Sequence, residues 1–246
     1  MRLYGLIGKS LSHSFSKSYF SKKFAAEGIT DCVYESFELA NIADFSQLIQ
    51  SHPELCGLNV TIPYKEMVMP YLDEISPEVE KIGACNCIKI DNGKLIGYNT
   101  DAAGFRASIK PQLKTNHQYA LVFGSGGASK AICFALQELG IEYRVVSRKK
   151  VAGQLGYEDI DDVVLEKYHL LINTTPLGMY PNVDDDPPIP YEELSPQHFL
   201  YDVIYNPEKT RFLQRGEAQG AQICNGQGML VLQAEESWGI WNGLKS

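Results

Sequence analysis

The stretch that decides the fold is Val122-Phe123-Gly124-Ser125-Gly126-Gly127-Ala128-Ser129. It lies between an apolar run at 119–124, which predicts a strand, and a helical pattern that continues to about Leu139. Glycines in such a turn let backbone amides approach a pyrophosphate, and the start of the helix adds a partial positive charge. The arrangement therefore predicts a dinucleotide-binding turn. Ser129 stands where the usual pattern has its third glycine, so the alternative is a strand-to-helix turn with only a structural role.

The next predicted strand, 142–147, is followed by a basic turn made of Arg148, Lys149 and Lys150. In an NAD site, an acidic residue roughly 20 residues after the glycines binds the ribose hydroxyls. A guanidinium at that place instead binds an additional phosphate through paired, charge-assisted hydrogen bonds. The turn therefore predicts NADP rather than NAD, and the alternative is a solvated basic turn.

Short apolar runs alternate with helical patterns on both sides of the glycine turn, which predicts an α/β protein with mostly parallel sheets. The pattern divides into two α/β units with a junction near Thr100. Strands are predicted at 3–8, 32–37, 57–60, 87–90, 94–98, 119–124, 142–147, 170–173, 200–203 and 221–224. Helices are predicted at 18–27, 44–50 and 229–241, and a further helix follows the glycine turn and continues to about Leu139. Asp91-Asn92-Gly93 is a strong hairpin signal between two of these strands.

Polar residues follow the predicted strands of the first unit, where ligands bind in open parallel sheets. Ser14 and Ser16 follow the first strand, and they can either cap the next helix or donate hydroxyls to a substrate carboxylate. Lys65 follows the strand at 57–60 and, taken alone, is as well explained as a surface lysine. Asn86 precedes the hairpin, and Asp101 follows it, where a helix cap is the alternative role.

The composition excludes several classes of protein. The net charge of −8 and the lack of a long basic block argue against a partner that is a nucleic acid. No apolar stretch approaches the roughly 18 residues of a membrane span, and the first residues do not resemble a signal peptide, so a cytoplasmic protein is expected. The six cysteines are scattered, and the pair Cys85 and Cys87 lacks the second cluster that a zinc site needs, so no metal is expected.

Eight motifs follow one another along the chain, from about residue 4 to 243. They are 8–16, Asn59-Val60-Thr61-Ile62-Pro63-Tyr64-Lys65, Gly83-Ala84-Cys85-Asn86, Asn99-Thr100-Asp101, 124–128, Ile172-Asn173-Thr174-Thr175-Pro176, Tyr201-Asp202-Val203-Ile204-Tyr205 and 225–233. Together, and in this order, they resemble the motifs of the shikimate dehydrogenase family. The resemblance implies a substrate-binding and catalytic domain at 1–100 plus 226–246, with the last helix returning to the first unit. It implies a Rossmann-type NADP-binding domain at 101–225.

The resemblance also implies a role for each matched residue. Ser14 and Ser16 would bind the substrate carboxylate, with Tyr205 near it. The ring hydroxyls would contact Thr61, Lys65, Asn86, Asp101 and Gln233. The cofactor would contact Gly124, Ser125, Gly126, Gly127, Ala128, Ser147, Arg148, Lys149, Thr174, Val203, Gly226 and Met229.

The expected reaction is the NADP-dependent, reversible reduction of 3-dehydroshikimate to shikimate, in the pathway to chorismate and aromatic amino acids. Lys65 and Asp101 would form the catalytic pair. An ammonium group can give a proton to the developing alkoxide and stabilise its charge, and a nearby carboxylate favours the charged ammonium.

Two places depart from the family pattern. The segment 151–156 has two glycines and little helical pattern, where family members usually have a helix. The sequence stops at Ser246, where many relatives carry a further helix, which bears on whether the protein is a monomer or a homodimer.

Three other functions compete with the expected one. They are a quinate/shikimate dehydrogenase with broader substrate or cofactor use, a non-catalytic NADP-binding sensor, and another two-domain dehydrogenase such as a methylenetetrahydrofolate enzyme. Lys65, Asp101 and the two serines argue against the sensor, and the serines would have no purpose in a pterin site.

Overall fold

The computed structural model describes residues 1–11, 14–149 and 153–244. Ser12 and His13 of the first motif, Lys150 of the basic turn and residues 151–152 of the shortened segment lie outside the described residues, as do 245–246. The chain divides into two compact units, Met1–Thr100 with Ala234–Ser246, and Asp101–Gln233. No helix in the described ranges combines the length and the apolar character that a membrane span requires.

The first unit is a six-stranded sheet with helices on it. The strand order is β2-β1-β3-β5-β6-β4, and all neighbours are parallel except the pairs β3–β5 and β5–β6. The elements are β1 (Arg2–Gly8), α1 (Phe15–Ala26), β2 (Cys32–Glu38), α2 (Phe45–Ser51), β3 (Leu55–Val60), α3 (Tyr64–Met67), β4 (Glu74–Ile75), α4 (Pro77–Ile82), β5 (Cys87–Asp91) and β6 (Lys94–Tyr98). Asn92 and Gly93 both have positive φ, at 51° and 80°, which confirms the predicted hairpin turn.

The second unit is a five-stranded, fully parallel sheet in the order β11-β10-β9-β7-β8. Its elements are α5 (Thr100–Ile109), β7 (Tyr119–Phe123), α6 (Gly127–Glu138), β8 (Glu142–Val146), α7 (Asp162–Lys167), β9 (Leu170–Asn173), β10 (Phe199–Asp202), α8 (Arg211–Ala218), β11 (Gln222–Cys224) and α9 (Gln227–Trp241). The predicted α/β class is confirmed, and this unit is the Rossmann-type sheet.

Helix α9 begins in the second unit and ends in the first. Gly104 of α5 lies against its early turns, since a Cβ at Gly104 would come within 2.9 Å of the Met229 carbonyl oxygen and the Gln233 backbone nitrogen. The chain therefore returns to the first unit at Ala234, whereas the predicted crossing was at residue 226.

The last turns of α9 fill an aromatic cluster in the first unit. This cluster consists of Tyr4, Phe20, Phe24, Tyr34, Trp238 and Trp241. The Trp241 indole stacks on Tyr4 at 4.9 Å between ring centroids and donates a hydrogen bond from Nε1 to the Ile88 carbonyl at 3.0 Å. Gly57 of β3 lies directly beneath this indole, and a Cβ there would overlap it.

The second unit has a buried carboxylate where its strands end. Asp202 accepts hydrogen bonds on Oδ1 from Asn173 Nδ2 at 3.1 Å and from the Ile204 backbone N–H at 3.0 Å, and on Oδ2 from Thr210 Oγ1 at 2.5 Å. Burial raises the pKa of Asp202 to about 6, and these three hydrogen bonds oppose the rise. The carboxylate thus ties the end of β9, the end of β10 and the start of α8 together.

We predict that Gly57→Ala lowers the free energy of unfolding by about 1–3 kcal/mol, because the Trp241 indole has to leave its packed position. Both tryptophans of the chain lie in the aromatic cluster, so urea unfolding followed by tryptophan fluorescence reports on this unit. Ser18→Ala, at an exposed position of α1, is the control and should change stability by less than about 0.5 kcal/mol. Equal stability of the two variants would contradict this packing.

We also predict a pH-dependent difference between the protein and its Asp202→Asn variant. Between its unfolded pKa of 3.8 and its folded pKa of about 6, Asp202 binds a proton in the folded state that the unfolded chain does not bind. The stability of the unsubstituted protein relative to the variant should therefore fall as pH rises from about 4.5 to about 6.5, and stay level above.

Thermal unfolding across that pH range measures the difference, with the exposed Asp184→Asn as the baseline. If the difference in stability between the unsubstituted protein and Asp202→Asn does not change with pH, the Asp202 carboxylate does not titrate as described.

Candidate functional site

In the first unit, the segments after β1 and β3 begin side by side. The two strands are parallel, with Ile7 opposite Val60, and the Thr61 backbone N–H donates to the Ile7 carbonyl at 2.9 Å. Because parallel strands end at the same edge of a sheet, this pairing brings the serine segment and the segment that contains Lys65 to one edge.

The surroundings of Ser14 distinguish between the two roles considered for the serines, which are capping helix α1 and binding a substrate carboxylate. It occupies the N-cap position of α1, yet its side chain makes no capping hydrogen bond. Its Oγ is buried and has no hydrogen-bond partner among the described residues. A buried hydroxyl without a partner is costly, and a ligand oxygen at this position would satisfy it. The structure therefore supports a binding role for Ser14 over a cap.

Ser16 lies in the first turn of α1 and is buried. Burial raises the pKa of Tyr34 well above its usual value, and a side-chain hydrogen bond from Ser16 opposes this rise. Ser16 is therefore held by the interior of the first unit.

Lys65 lies in the short helix α3, directly after the Thr61 segment, and is half-buried. Its carbonyl accepts a hydrogen bond from the Cys85 backbone N–H at 2.7 Å. Asn86, which follows Cys85 in the sequence, is buried, and its carbonyl accepts a hydrogen bond from the Val60 N–H at 2.8 Å. These backbone bonds bring Thr61, Lys65 and Asn86 together at the end of β3.

Asp101 and Gln233 belong to the second unit, and both are buried. Asp101 lies in the first turn of α5. Gln233 is on α9 and donates from Nε2 to the Leu230 carbonyl at 3.1 Å. The residues expected to contact the substrate are thus divided between the two units.

The glycine turn of the second unit connects β7 to α6 as predicted. Gly124 has a φ of 108°, a conformation that side chains rarely adopt, and a Cβ there would lie 2.6 Å from Thr174 Oγ1. Thr174 donates from Oγ1 to the Phe123 carbonyl at 2.6 Å, so the end of β9 fixes the turn. Gly126, at the N-cap position, has no side chain to cap α6, which leaves the amides at the start of this helix open to an anion.

Ser129, which interrupts the glycine pattern, lies inside α6 and is 2% exposed. Burial raises the pKa of the Cys133 thiol, one turn further along the same helix, and the Ser129 side chain opposes that rise. A small serine is therefore accommodated where the helix packs, and its presence does not disturb the turn that precedes it.

The basic turn follows β8, with Arg148 and Lys149 exposed. Ser147 is buried, and its Oγ donates to the Lys149 carbonyl at 2.7 Å and lies 3.0 Å from Gln154 Oε1. The backbone of Ser147 also donates to the Leu155 carbonyl at 3.0 Å. The Ser147 hydroxyl thus holds the turn in shape, and Arg148 and Lys149 are the groups that it presents.

Arg148 has an aromatic neighbour. Burial raises the pKa of Tyr157, and the charge of the Arg148 guanidinium opposes that rise. The Tyr157 ring in turn stacks on Phe123, the last residue of β7, with 6.0 Å between centroids. Tyr157, which follows the shortened segment, is therefore packed against the end of β7.

Val203, Gly226 and Met229 lie where the second sheet ends. The Val203 N–H donates to the Asn173 carbonyl and the Gly226 N–H donates to the Ile204 carbonyl, both at 3.0 Å. A Cβ at Gly226 would overlap the Val203 carbonyl, so only glycine allows this approach. Met229 is buried in the first turns of α9, and Tyr205 is half-buried.

Sequence reasoning missed the residues that support these positions. Asn173 and Asp202 stood inside quoted motifs without a role, and Thr210 was not considered. Their signal was a polar residue at the end of an apolar strand, followed in one case by a helix start. In the described part of the chain, no three His, Cys, Asp or Glu side chains are grouped so that they could hold a metal ion.

Comparisons with known proteins give the family. The family model for the shikimate dehydrogenase substrate binding domain matches residues 6–88. The chain is 40% identical over 254 residues to a shikimate dehydrogenase (NADP(+)) of Clostridium beijerinckii, with 98% of this chain and 92% of that protein covered. It is 37% identical over 264 residues to a shikimate dehydrogenase (NADP(+)) of Methanococcus maripaludis, with 99% and 92% covered.

A solved structure agrees with these relatives. The crystal structure of shikimate 5-dehydrogenase from Thermus thermophilus, in complex with NADP(H) and shikimate, superposes with a TM-score of 0.88 at 29% identity, with 99% of this chain and 94% of that chain covered. The identity and coverage of the two relatives, together with this likeness in fold, show that the chain belongs to the shikimate dehydrogenase family.

Proposed function

We propose that this chain catalyses the reversible, NADP-dependent reduction of 3-dehydroshikimate to shikimate, a step on the way to chorismate and the aromatic amino acids. The observation that carries the proposal is the match, along 98–99% of the chain, to enzymes named shikimate dehydrogenase (NADP(+)). The unsatisfied Ser14 hydroxyl and the open helix start at Gly126 support it, because a carboxylate and a pyrophosphate are the groups that they would bind.

In this proposal the substrate-binding domain consists of residues 1–100 and 226–246, and the NADP-binding domain consists of residues 101–225. Ser14 and Ser16 hold the shikimate carboxylate with their hydroxyls, and Tyr205 lies near this end of the molecule. The buried amide of Asn86 suits a ring hydroxyl because it can both donate and accept. The residues that contact the ring hydroxyls are Thr61, Lys65, Asn86, Asp101 and Gln233.

Lys65 and Asp101 are the catalytic residues in this proposal. The cofactor, when bound, supplies the hydride to the C3 carbonyl of 3-dehydroshikimate. Lys65 donates a proton to the oxygen on which negative charge develops, and its ammonium stabilises that charge. In the direction of shikimate oxidation, Lys65 accepts the proton again. Asp101 favours the charged ammonium and orients it.

The second unit offers groups that fit NADP. The pyrophosphate fits the backbone amides from Gly124 to Ala128 at the start of α6. The basic turn, with Ser147 shaping it, offers Arg148 and Lys149 to the additional phosphate of the adenosine. Thr174, Val203, Gly226 and Met229 line the nicotinamide side.

The proposal places the enzyme in the cytoplasm, as a monomer or a homodimer. All six cysteines are free thiols, which supports a reducing compartment.

The experiment that tests the proposal follows the absorbance of the reduced cofactor during shikimate oxidation, with NADP and NAD in parallel and with quinate as a second substrate. Turnover of shikimate with NADP alone is expected. Comparable rates with NAD or quinate would show the broader-specificity enzyme. A folded protein that binds NADP and turns over neither substrate would show a sensor.

We predict that Lys65→Ala lowers kcat by about 10²–10⁴-fold, because the proton donor is lost, with little change in shikimate binding. Initial rates and equilibrium titration with shikimate measure the two quantities. Lys81→Ala, at an exposed position in the last turn of α4, is the control and should leave both unchanged. Unchanged kcat in Lys65→Ala would remove Lys65 from the mechanism.

We further predict that Arg148→Ala weakens NADPH binding by about ten- to a hundredfold and NADH binding hardly at all, because only NADPH carries the phosphate that pairs with the guanidinium. Titration of cofactor fluorescence measures both affinities. Arg106→Ala, which removes an arginine paired with Glu138 on the surface, controls for loss of charge. An equal loss of affinity for NADPH and NADH would show that Arg148 does not bind the additional phosphate of NADPH.

A further inference from the structure

A chain of buried hydrogen bonds crosses the interior of the first unit. Tyr34 Oη donates to Asn59 Oδ1 at 2.9 Å, and Asn59 Nδ2 donates to Ser237 Oγ at 2.9 Å. Ser237 Oγ lies 3.2 Å from Thr100 Oγ1, and Asn86 Nδ2 donates to Thr100 Oγ1 at 3.0 Å. We call Tyr34, Asn59, Ser237, Thr100 and Asn86 the buried chain.

The buried chain is shielded from water along its whole length. Tyr34, Asn59, Ser237, Thr100 and Asn86 are each less than 5% exposed. In such surroundings a polar atom that loses its partner finds no water to replace it, and its neighbours in the network are weakened as well. The arrangement of each member therefore depends on the next.

The Tyr34 end of the buried chain is fixed by aromatic packing. Its ring stacks on Phe20 of α1, with 4.5 Å between centroids and 15° between planes, and it lies 6.3 Å from the Trp241 ring. A ring held on these sides cannot swing its hydroxyl away from Asn59. The Tyr34 hydroxyl is therefore a hydrogen-bond donor whose position is fixed by ring packing.

The Asn59 side-chain amide is hydrogen-bonded at both its oxygen and its nitrogen. Its Oδ1 accepts from Tyr34, and its Nδ2 donates both to Ser237 and to the Asn86 carbonyl at 3.3 Å. The two ends of this amide cannot be exchanged, because the Asn86 carbonyl can only accept a hydrogen bond, and in this orientation the Tyr34 hydroxyl is the donor to Asn59 Oδ1.

The buried chain ends at a residue assigned to the substrate. The Asn86 side chain is held by Thr100, whose backbone N–H donates to Asn86 Oδ1 at 2.6 Å. Tyr34 and Ser237 themselves lie too deep to touch a ligand.

We propose that Tyr34 and Ser237 are positioning residues for the substrate, which act through the buried chain to hold Asn86 in the geometry that binds a ring hydroxyl. This inference rests on the proposed function, since it assigns support to a residue that binds shikimate. Loss of the Tyr34 hydroxyl leaves Asn59 Oδ1 without its donor, and loss of the Ser237 hydroxyl removes the partner shared by Asn59 and Thr100, so that the Asn86 side chain is held less firmly. Shikimate binding then weakens, whereas binding of NADP by the second unit does not.

The test compares three variants, Tyr34→Phe, Ser237→Ala and Tyr4→Phe, in steady-state oxidation of shikimate. Tyr4 is the matched control, because it is a buried tyrosine of the same aromatic cluster whose hydroxyl accepts from Arg2 at 3.4 Å, outside the buried chain. We expect the KM for shikimate to rise about five- to twentyfold in Tyr34→Phe and Ser237→Ala. We expect kcat to change by less than about threefold and the KM for NADP to stay unchanged, with Tyr4→Phe like the unsubstituted enzyme in all constants.

Melting temperatures of all variants separate positioning from stability. A lower melting temperature with an unchanged shikimate KM in Tyr34→Phe and Ser237→Ala would overturn the inference and leave a purely structural role. If Tyr34→Phe does not fold, Ser237→Ala decides alone, since it removes one oxygen atom at a helix position where alanine is well tolerated.

The same assay separates failure of the inference from failure of the proposed function. An unsubstituted enzyme that turns over shikimate, with variants of unchanged KM, overturns only the positioning role. An unsubstituted protein without turnover overturns both.

Discussion

Parallel pairing of neighbouring strands is the constraint on which the rest of this structure depends. In the first unit it sets β1 beside β3, so that the Ser14 segment and the Lys65 segment leave the sheet at one edge. In the second unit it sets β7 between β8 and β9, so that the glycine turn, the basic turn and Thr174 leave at one edge. Because the inner strands of the two sheets, such as β1, β3, β7 and β9, are buried on both faces, their register cannot slip without exposing apolar side chains. The positions of the polar segments follow from that register.

A second constraint is that the buried polar groups at these edges need a hydrogen-bond partner, either within the protein or in a ligand. Asp202 gathers three donors and holds the ends of β9 and β10 together. Asn59 uses both ends of its amide inside the first unit. Ser14 Oγ, by contrast, is buried with no partner in the described part of the chain. Within the described residues of the first unit, the Ser14 hydroxyl is thus the buried side-chain group without a partner, which is expected of a position that receives a ligand.

Local patterns were sufficient to predict most elements and the glycine turn. The hairpin at Asn92-Gly93 and the strand-to-helix turn at Gly124 depend on residues adjacent in sequence, and both formed as predicted. The helices α3, α4 and α7 were not predicted, since four to six residues are too few to give a clear period. Helix α8 was also missed, although its eight residues have one apolar and one polar face. The division of α9 between the two units also could not be read from its pattern, because it depends on contacts with Gly104 and with the aromatic cluster. The parts of the candidate site that escaped prediction likewise depend on contacts between distant residues. Asn59 and Ser237 are 178 positions apart, and the sequence around each residue does not indicate that the two are in contact.

Our proposal that Ser14 binds the substrate carboxylate at the edge of the first sheet is the central claim about the site. A crystal structure of the protein with shikimate and NADP bound tests it most directly. We predict a carboxylate oxygen within hydrogen-bonding distance of Ser14 Oγ. A carboxylate bound elsewhere, with Ser14 Oγ still without a partner or turned to cap α1, would contradict the claim.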